Sequence, residues 1–394
     1  DVANGLDGVK GYTRKGVLTD SFQAGKQRAA DKASKEYFKD WADYTNENVT
    51  TSFMRSIYPF WCVPEYATIL TRTGWKHYTD LVVGEDVLAV DPETLITKWE
   101  PVQEIAEFDY DDDLMVIPAK GKDIKFTPNH RWLVVNKQGY SSIKRGYELT
   151  DGYDMIPRAL PHEFPEESIL PSREAAILGW ACTDGYIARS NGRKPRFVIY
   201  QSIKNHLSEI EELLGVTSHP RTEPNKYTGE FTDYVVAVKQ ADVDVIMDEC
   251  PDWSYLPQLV SWLSEDAAEA MWEAMFKAEG STSIEYNGFE NSCWKQKPGP
   301  VMEAFQILTV LLGKAMTVKD DRVNLLNNNK PYNAKEARRI GKEHYKGKVW
   351  CPVTSSGTWF MNCNGSVVPT GNTYELHRLF WLPRAAIRTP GVFK

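Results

Sequence analysis

The sequence predicts two fold classes in one chain: an all-β domain interrupted by an inserted mixed domain, α/β or α+β, with a short piece at either end. Three observations carry this. Short β-type runs separated by turn signals fill residues 62–160 and return over 348–372. Helical stretches alternate with strand-like ones over 166–345. One helix-ending pattern, an apolar run closed by an acid and a glycine, occurs twice within that middle region.

Composition narrows the classes. The chain has 394 residues, 42% hydrophobic and 25% charged, which is ample for several soluble domains. No apolar run approaches the roughly 18 residues of a membrane span, so no membrane partner is expected. The six cysteines show no close pairing of the metal-ribbon kind, and the first residues lack a charged-then-apolar signal pattern. A reducing cytoplasm is the expected setting. A net charge of −8 excludes a uniformly basic coat, so any nucleic-acid contact has to come from local patches.

Taken in order, residues 1–61 form a polar, helix-friendly flanking piece. The first β part, 62–165, holds Thr68–Leu70, Asp86–Val90, Leu114–Ile117 and Trp132–Val135 as strands. The insert, 166–345, reads as helices over 174–182, 207–214, 266–277 and 302–312, with strands over 197–201 and 234–239. The closing β part is 346–372, and 373–394 is a second flanking piece, aromatic and basic.

Charge in the insert is uneven. Residues 241–290 carry twelve acids against one base, Lys277, whereas 319–348 carry nine bases against four acids. Arg189, Arg193, Lys194 and Arg196 form a second basic cluster beside a strand. Such a layout suits a domain that grips phosphates on one side and cations on another.

The repeated pattern runs Ile177-Leu178-Gly179-Trp180-Ala181-Cys182-Thr183-Asp184-Gly185 and Trp272-Glu273-Ala274-Met275-Phe276-Lys277-Ala278-Glu279-Gly280. Small residues at Gly179 and Ala274 let two helices approach closely, which sets the terminal acids Asp184 and Glu279 side by side. Two adjacent carboxylates repel unless cations lie between them, the arrangement used for in-line phosphodiester hydrolysis. These segments resemble the LAGLIDADG homing endonucleases, which implies an α+β insert of two pseudo-symmetric halves. The resemblance implies that Asp184 and Glu279 are catalytic metal ligands, with Mg2+ the expected ion, and that the strands after each motif read double-stranded DNA. Ala274, Glu279 and Lys277 depart from the family pattern, and an inactive insert is the alternative. Lys239, expected on a strand, is a candidate catalytic lysine.

The residues around the insert point to a second chemistry. Cys62-Val63-Pro64-Glu65-Tyr66-Ala67-Thr68 opens the β region, Thr127-Pro128-Asn129-His130 follows, and Asn364-Gly365 through Gly371-Asn372-Thr373 closes it. In this order the blocks resemble an intein, whose splicing domain has the all-β Hint fold. The resemblance implies excision of 62–372, ligation of Trp61 to Thr373, and the flanking pieces as the protein's own partners in a monomer. A stable peptide bond is cleaved only if it is polarised, attacked and its leaving amine protonated. An imidazole such as His130 titrates near neutrality and can protonate the upstream amide, while Thr127 holds that amide. Asn372 can attack its own main-chain carbonyl and release Thr373.

Three residues bear on the first nucleophile. Trp132 stands two positions after His130, Cys351 lies in Val349-Trp350-Cys351-Pro352, and Thr373 follows Asn372. This trio resembles the signature of class 3 inteins. It implies direct attack of Cys351 on the Trp61 carbonyl, transfer to the Thr373 hydroxyl and Asn372 cyclisation, with Trp132 packed over the site. Cys62 keeps open the class 1 route, in which it attacks first, and a non-splicing relic is a third reading. The usual penultimate histidine is replaced by Gly371, and His344 is only a distant substitute.

Overall fold

The computed structural model describes residues 62–119, 122–149, 154–203, 205–221, 230–284, 290–326, 332–333 and 340–371. The flanking pieces, and with them Trp61, Asn372 and Thr373, lie outside the described residues.

The first β part folds as β1 (Val63–Pro64), β2 (Thr68–Thr71), β3 (Gly74–Lys76), β4 (Asp86–Val90), β5 (Thr97–Pro101), β6 (Glu104–Ile117), β7 (Ile124–Phe126), β8 (Arg131–Val135), β9 (Ser141–Arg145) and β10 (Met155–Ile156). Four of the five residues of β4 are fully buried, because its two faces are both covered.

The middle region begins with α1 (Ser172–Thr183), β11 (Gly185–Ala188), β12 (Arg196–Ser202), α2 (Leu207–Leu214), β13 (His219–Pro220) and β14 (Asp233–Ala237). After α3 (Gln240–Glu249) and α4 (Leu256–Val260) come α5 (Glu265–Glu279), β15 (Gly280–Ile284), β16 (Glu290–Lys295), α6 (Pro300–Leu311), β17 (Met316–Lys319) and β18 (Arg322–Leu325). A motif helix, a hairpin, a second helix and a second hairpin thus occur twice. The two sheets share one strand order, β11-β12-β14-β13 and β15-β16-β18-β17.

The chain returns to the β part through β19 (Tyr332–Asn333), β20 (Gly341–Val353), β21 (Thr358–Cys363) and β22 (Ser366–Gly371). β21 and β22 are joined by Asn364-Gly365, both at positive φ (53° and 85°), the conformation that a two-residue hairpin turn requires. β6 and β20 pair over thirteen residues as a long ribbon, from Gly341↔Val116 to Val353↔Glu104. β20 therefore runs unbroken across 345–346, and β19 pairs with β10.

Insert and β part are joined. Val318 N donates to Gly365 O at 2.8 Å, which extends the second sheet of the insert through β17 and β22 into β21, β2, β4 and β5. The Arg72 guanidinium lies 4.8 Å from the Trp99 ring and 4.0 Å from that of Trp262, bonds Asp86 and donates to Ser261 O. One core cluster joins Leu70, Leu88 and Val90 to the helices of the insert, and a second, containing Trp132, Trp350 and Trp359, fills the β part.

Three helices match the expected ones within two residues at each end, and α2 matches at both. Lys239 is not on a strand: β14 ends at Ala237, and Lys239 is the residue that caps the start of α3. The run through Val238 turns from strand to helix there, because Val238 N closes the sheet by donating to Phe197 O.

Among the described residues no helix is long and apolar enough to cross a membrane.

Candidate functional site

The first constellation is built on the turn between β7 and β8. Thr127 is 1% exposed and His130 fully buried. Thr127 Oγ1 accepts from Cys62 N (2.9 Å) and donates to Cys62 O (3.2 Å), and Thr127 N donates to the same carbonyl (3.0 Å). The Cys62 amide nitrogen is thereby fixed in a buried environment, where a hydrogen bond is stronger than in water. The turn is braced by His130 N on Thr127 O and Gly146 N on His130 O, at 2.9 and 2.8 Å. A Cβ at Gly146 would come within 2.5 Å of the Phe126 ring, so glycine lets this brace approach.

His130 faces the other end of the segment. Its Nε2 is hydrogen-bonded to Thr370 Oγ1 on β22 (2.5 Å), and Thr370 Oγ1 donates to Arg131 O (3.4 Å). The Trp132 ring packs edge-on against His130, with centroids 5.2 Å apart at 77°, and Phe126 lies edge-on to Trp132 at 5.0 Å. Gly371 packs on the same turn: a Cβ there would lie 2.7 Å from Arg131 Cβ and 2.8 Å from Arg131 O.

β1 pairs with β20 through Val63↔Trp350 and Pro64↔Val349, so the register carried one residue further sets Cys62 opposite Cys351. Both are fully buried, in one small cluster with Tyr110, Leu114 and Val349. Trp132 belongs to the adjoining cluster, with Trp350. The structure thus brings Cys62, Thr127, His130, Trp132 and the end of β22 around one turn, with Cys351 beside Cys62. His344 is elsewhere. Its side chain is 65% exposed and pairs with Asp111 (3.2 Å) on the β6 and β20 ribbon. Seven residues separate it from Cys351, about 23 Å along an extended strand.

The second constellation lies where α1 and α5 meet. A Cβ on Gly179 would sit 2.8 Å from Met271 O and 2.9 Å from Ala274 Cβ, so the helices touch at their small residues. Asp184 follows the last turn of α1, with its N on Trp180 O, and Glu279 ends α5. Burial, then the nearby Glu279 carboxylate, push the Asp184 carboxyl up to about 7, against a lowering hydrogen bond from Gln201 Nε2 to Asp184 Oδ2 (3.0 Å). Burial raises Glu279 as well. Among the described residues no three His, Cys, Asp or Glu side chains cluster as a complete metal cage. Two neighbouring acids, Asp184 partly buried and Glu279 exposed at the end of α5, do fit Mg2+, which is held by one or two carboxylates with water and phosphate oxygens completing the shell.

Lys277, the departure from the apolar motif, reaches Glu209 of α2 (2.6 Å) at the surface and does not disturb the helix contact. On the first sheet, Tyr186 stacks on Tyr200 (5.7 Å) and the Arg221 guanidinium lies 4.0 Å over Tyr200. Of the basic cluster, Arg189 donates to Pro251 O and Lys194 pairs with Asp244.

Sequence reading missed Thr370 and Gln201. Neither carries a local signal: each matters because a distant strand places it against His130 or Asp184.

No protein-family profile matches the chain. Over 102 residues it is 29% identical to an ATP-dependent Clp protease proteolytic subunit of Chlamydomonas moewusii, covering 26% of this chain and about a tenth (10%) of that protein's length. Among solved structures it is similar to a splice-inactive AceL NrdHF class 3 split intein (7% identity, 80% of this chain and 99% of that one, TM-score 0.32). It is also similar to variants of the homing endonuclease I-DmoI (16% identity, 41% and 86%, TM-score 0.29), an enzyme also solved with DNA and Mn.

Proposed function

We propose that residues 62–372 are a self-splicing intein in which a LAGLIDADG-type endonuclease is inserted. The observation that supports it most is the Thr127–His130 turn: it holds the amide of Cys62 on one side and, through His130, bonds Thr370 on the other. The first residue of the segment and the strand leading to its last residue therefore meet at one buried turn that carries a histidine. Ends that must be cut and their neighbours ligated have to be brought together in this way.

In this reading the β part comprises 62–165 and, because β20 is continuous across the expected boundary at 345–346 and pairs with β6 from Gly341 onward, at least 341–372; the insert lies between them, and the flanks 1–61 and 373–394 are the pieces to be joined. Cys351 attacks the Trp61 carbonyl while His130 protonates the Cys62 nitrogen held by Thr127. The acyl group passes to the Thr373 hydroxyl, and Asn372 cyclises to free the segment. An O-to-N shift then leaves an ordinary peptide bond between Trp61 and Thr373. Trp132 keeps the His130 ring in place.

The class 1 route is a second reading, favoured by the position of Cys62. Its nitrogen is the one that Thr127 holds, and the register sets it opposite Cys351.

For the insert, Asp184 and Glu279 would hold Mg2+, with Gln201 orienting Asp184. A cation there would supply charge stabilisation for phosphodiester hydrolysis. The sheets after each motif would face double-stranded DNA, the intein-free host site, with Tyr186, Tyr200 and Arg221 on the first. A monomer acting in the cytoplasm of a bacterial or phage-infected cell fits this role.

Intact mass of the freshly expressed chain tests splicing. The ligated flanks and the excised 62–372 segment are expected, and a chain that stays whole under reducing conditions would sink the reading. The insert is tested by Mg2+-dependent cleavage of intein-free host DNA, abolished in Asp184→Asn.

A further inference from the structure

We propose, resting on the splicing reading, that Thr370 is a positioning residue that ties the His130 imidazole to the downstream junction, so that one histidine serves both ends of the segment. The downstream step needs a proton carrier. The Asn372 side-chain nitrogen bonds to the Asn372 carbonyl carbon, the bond from that carbon to the Thr373 nitrogen breaks, and a proton moves from the attacking amide to the departing amine. Nothing else is consumed, but each proton movement has to be assisted.

An imidazole cannot stand at 371. A Cβ there already lies 2.7 Å from Arg131 Cβ and 2.8 Å from Arg131 O, so any side chain would displace the backbone of the Thr127–Arg131 turn. His344 is exposed and paired with Asp111 on the distant part of the ribbon. His162 packs against Trp99 and Phe164, and His206 against Trp180. His130 is bonded to β22 itself, through Thr370 Oγ1.

Thr370 Oγ1 bonds His130 Nε2 and also lies 3.4 Å from Arg131 O, so one hydroxyl ties the imidazole and the turn that carries it to the end of β22. Thr370 is two residues from Asn372, so their Cα atoms are at most about 7 Å apart in any backbone conformation. The hydroxyl thus fixes the ring orientation of His130 beside the strand that leads to the downstream junction.

The test uses the full chain as wild type, Thr370→Val and Thr370→Ser, followed by intact mass over time between about pH 5.5 and 8.5. Valine keeps the shape and removes the hydroxyl, and serine keeps the hydroxyl. Thr370→Val is expected to slow release at 372–373 by about tenfold or more and to flatten its dependence on an imidazole ionisation. Thr370→Ser is expected to restore both. If Thr370→Val releases the segment at the wild-type rate with the wild-type pH profile, or if Thr370→Ser behaves like valine, the assignment is overturned. A wild-type chain that never splices removes the splicing reading itself, an outcome distinct from either.

Discussion

Cys62 and Cys351 stand opposite each other, one step beyond the Val63↔Trp350 pair that fixes the register of β1 on β20, and both are fully buried. On the proposed splicing reading, both thiols are candidates to attack the Trp61 carbonyl. Direct attack by Cys351 predicts that Cys62→Ala still splices whereas Cys351→Ala does not, read by intact mass. The reverse dependence would assign the first step to Cys62 and leave Cys351 a packing residue.

How much of this was legible in the sequence depended on how local the cause was. α1 and α5 were readable because apolar periodicity and the small residues Gly179 and Ala274 are all contained in the motifs. The turn at Asn364-Gly365 was readable from its residue types alone. The β6 and β20 ribbon was not. Residues 108–113, Phe-Asp-Tyr-Asp-Asp-Asp, lack a clean alternation, and their partners Lys346 and His344 come from more than 200 residues away. Strand formation there is decided by cross-strand pairs, which no local window contains. Thr370 was hidden for the same reason.

The fit of Gly371 against Arg131 makes a counter-intuitive prediction. On the proposed splicing reading, installing a histidine by Gly371→His should not speed release at the downstream junction. With Arg131 Cβ and O under 3 Å from the new Cβ, the substitution overpacks the turn that holds Thr127 and His130. A loss of about 1–3 kcal/mol in stability is expected, with slower splicing. Thermal melting and intact mass check both, and faster release in Gly371→His would show that the strand moves aside.

Gly179 tests the helix contact in the insert. In Gly179→Val the branched side chain would meet Met271 O and Ala274 Cβ, each within 3 Å of its first carbon. α1 and α5 must then separate, at a cost of about 2 kcal/mol or more. Because Asp184 and Glu279 end these helices, their separation should also abolish DNA cleavage. A variant with unchanged melting temperature would contradict the described contact.

His162 supplies a pH dependence. Burial, chiefly, pushes its pKa down from 6.5 to about 4, and its Nδ1 bonds Thr97 O at 3.0 Å. The folded chain keeps this ring neutral, whereas the unfolded chain protonates it near 6.5. Its contribution is therefore present above that pH and is lost as pH falls towards 4, by up to about 3 kcal/mol. Melting temperatures of wild type and His162→Gln measured between pH 4 and 7.5 should converge at the acid end. Parallel curves would show that His162 does not titrate differently on folding.

The acid pair at the ends of α1 and α5 gives the sharpest test of the insert. Asp184 is raised to about 7 by burial and by Glu279, so above that pH the fold holds two charges that repel. The proton is bound more tightly in the folded chain, and stability accordingly falls as pH rises from the ordinary carboxylate range towards 7. Removing one charge in Asp184→Asn should raise the melting temperature at pH 8 in the absence of metal. Mg2+ relieves the same repulsion in the wild type and should raise its melting temperature at pH 8, by the binding linkage of about 2.7 kcal/mol at a hundredfold excess over Kd. Near pH 6 the proton competes for the carboxylate, so the shift should shrink. In Asp184→Asn it should be absent at either pH. An equal Mg2+ shift in the two proteins would place the cation elsewhere, and a metal-independent gain in Asp184→Asn alone would leave the pair as a strained but unoccupied contact.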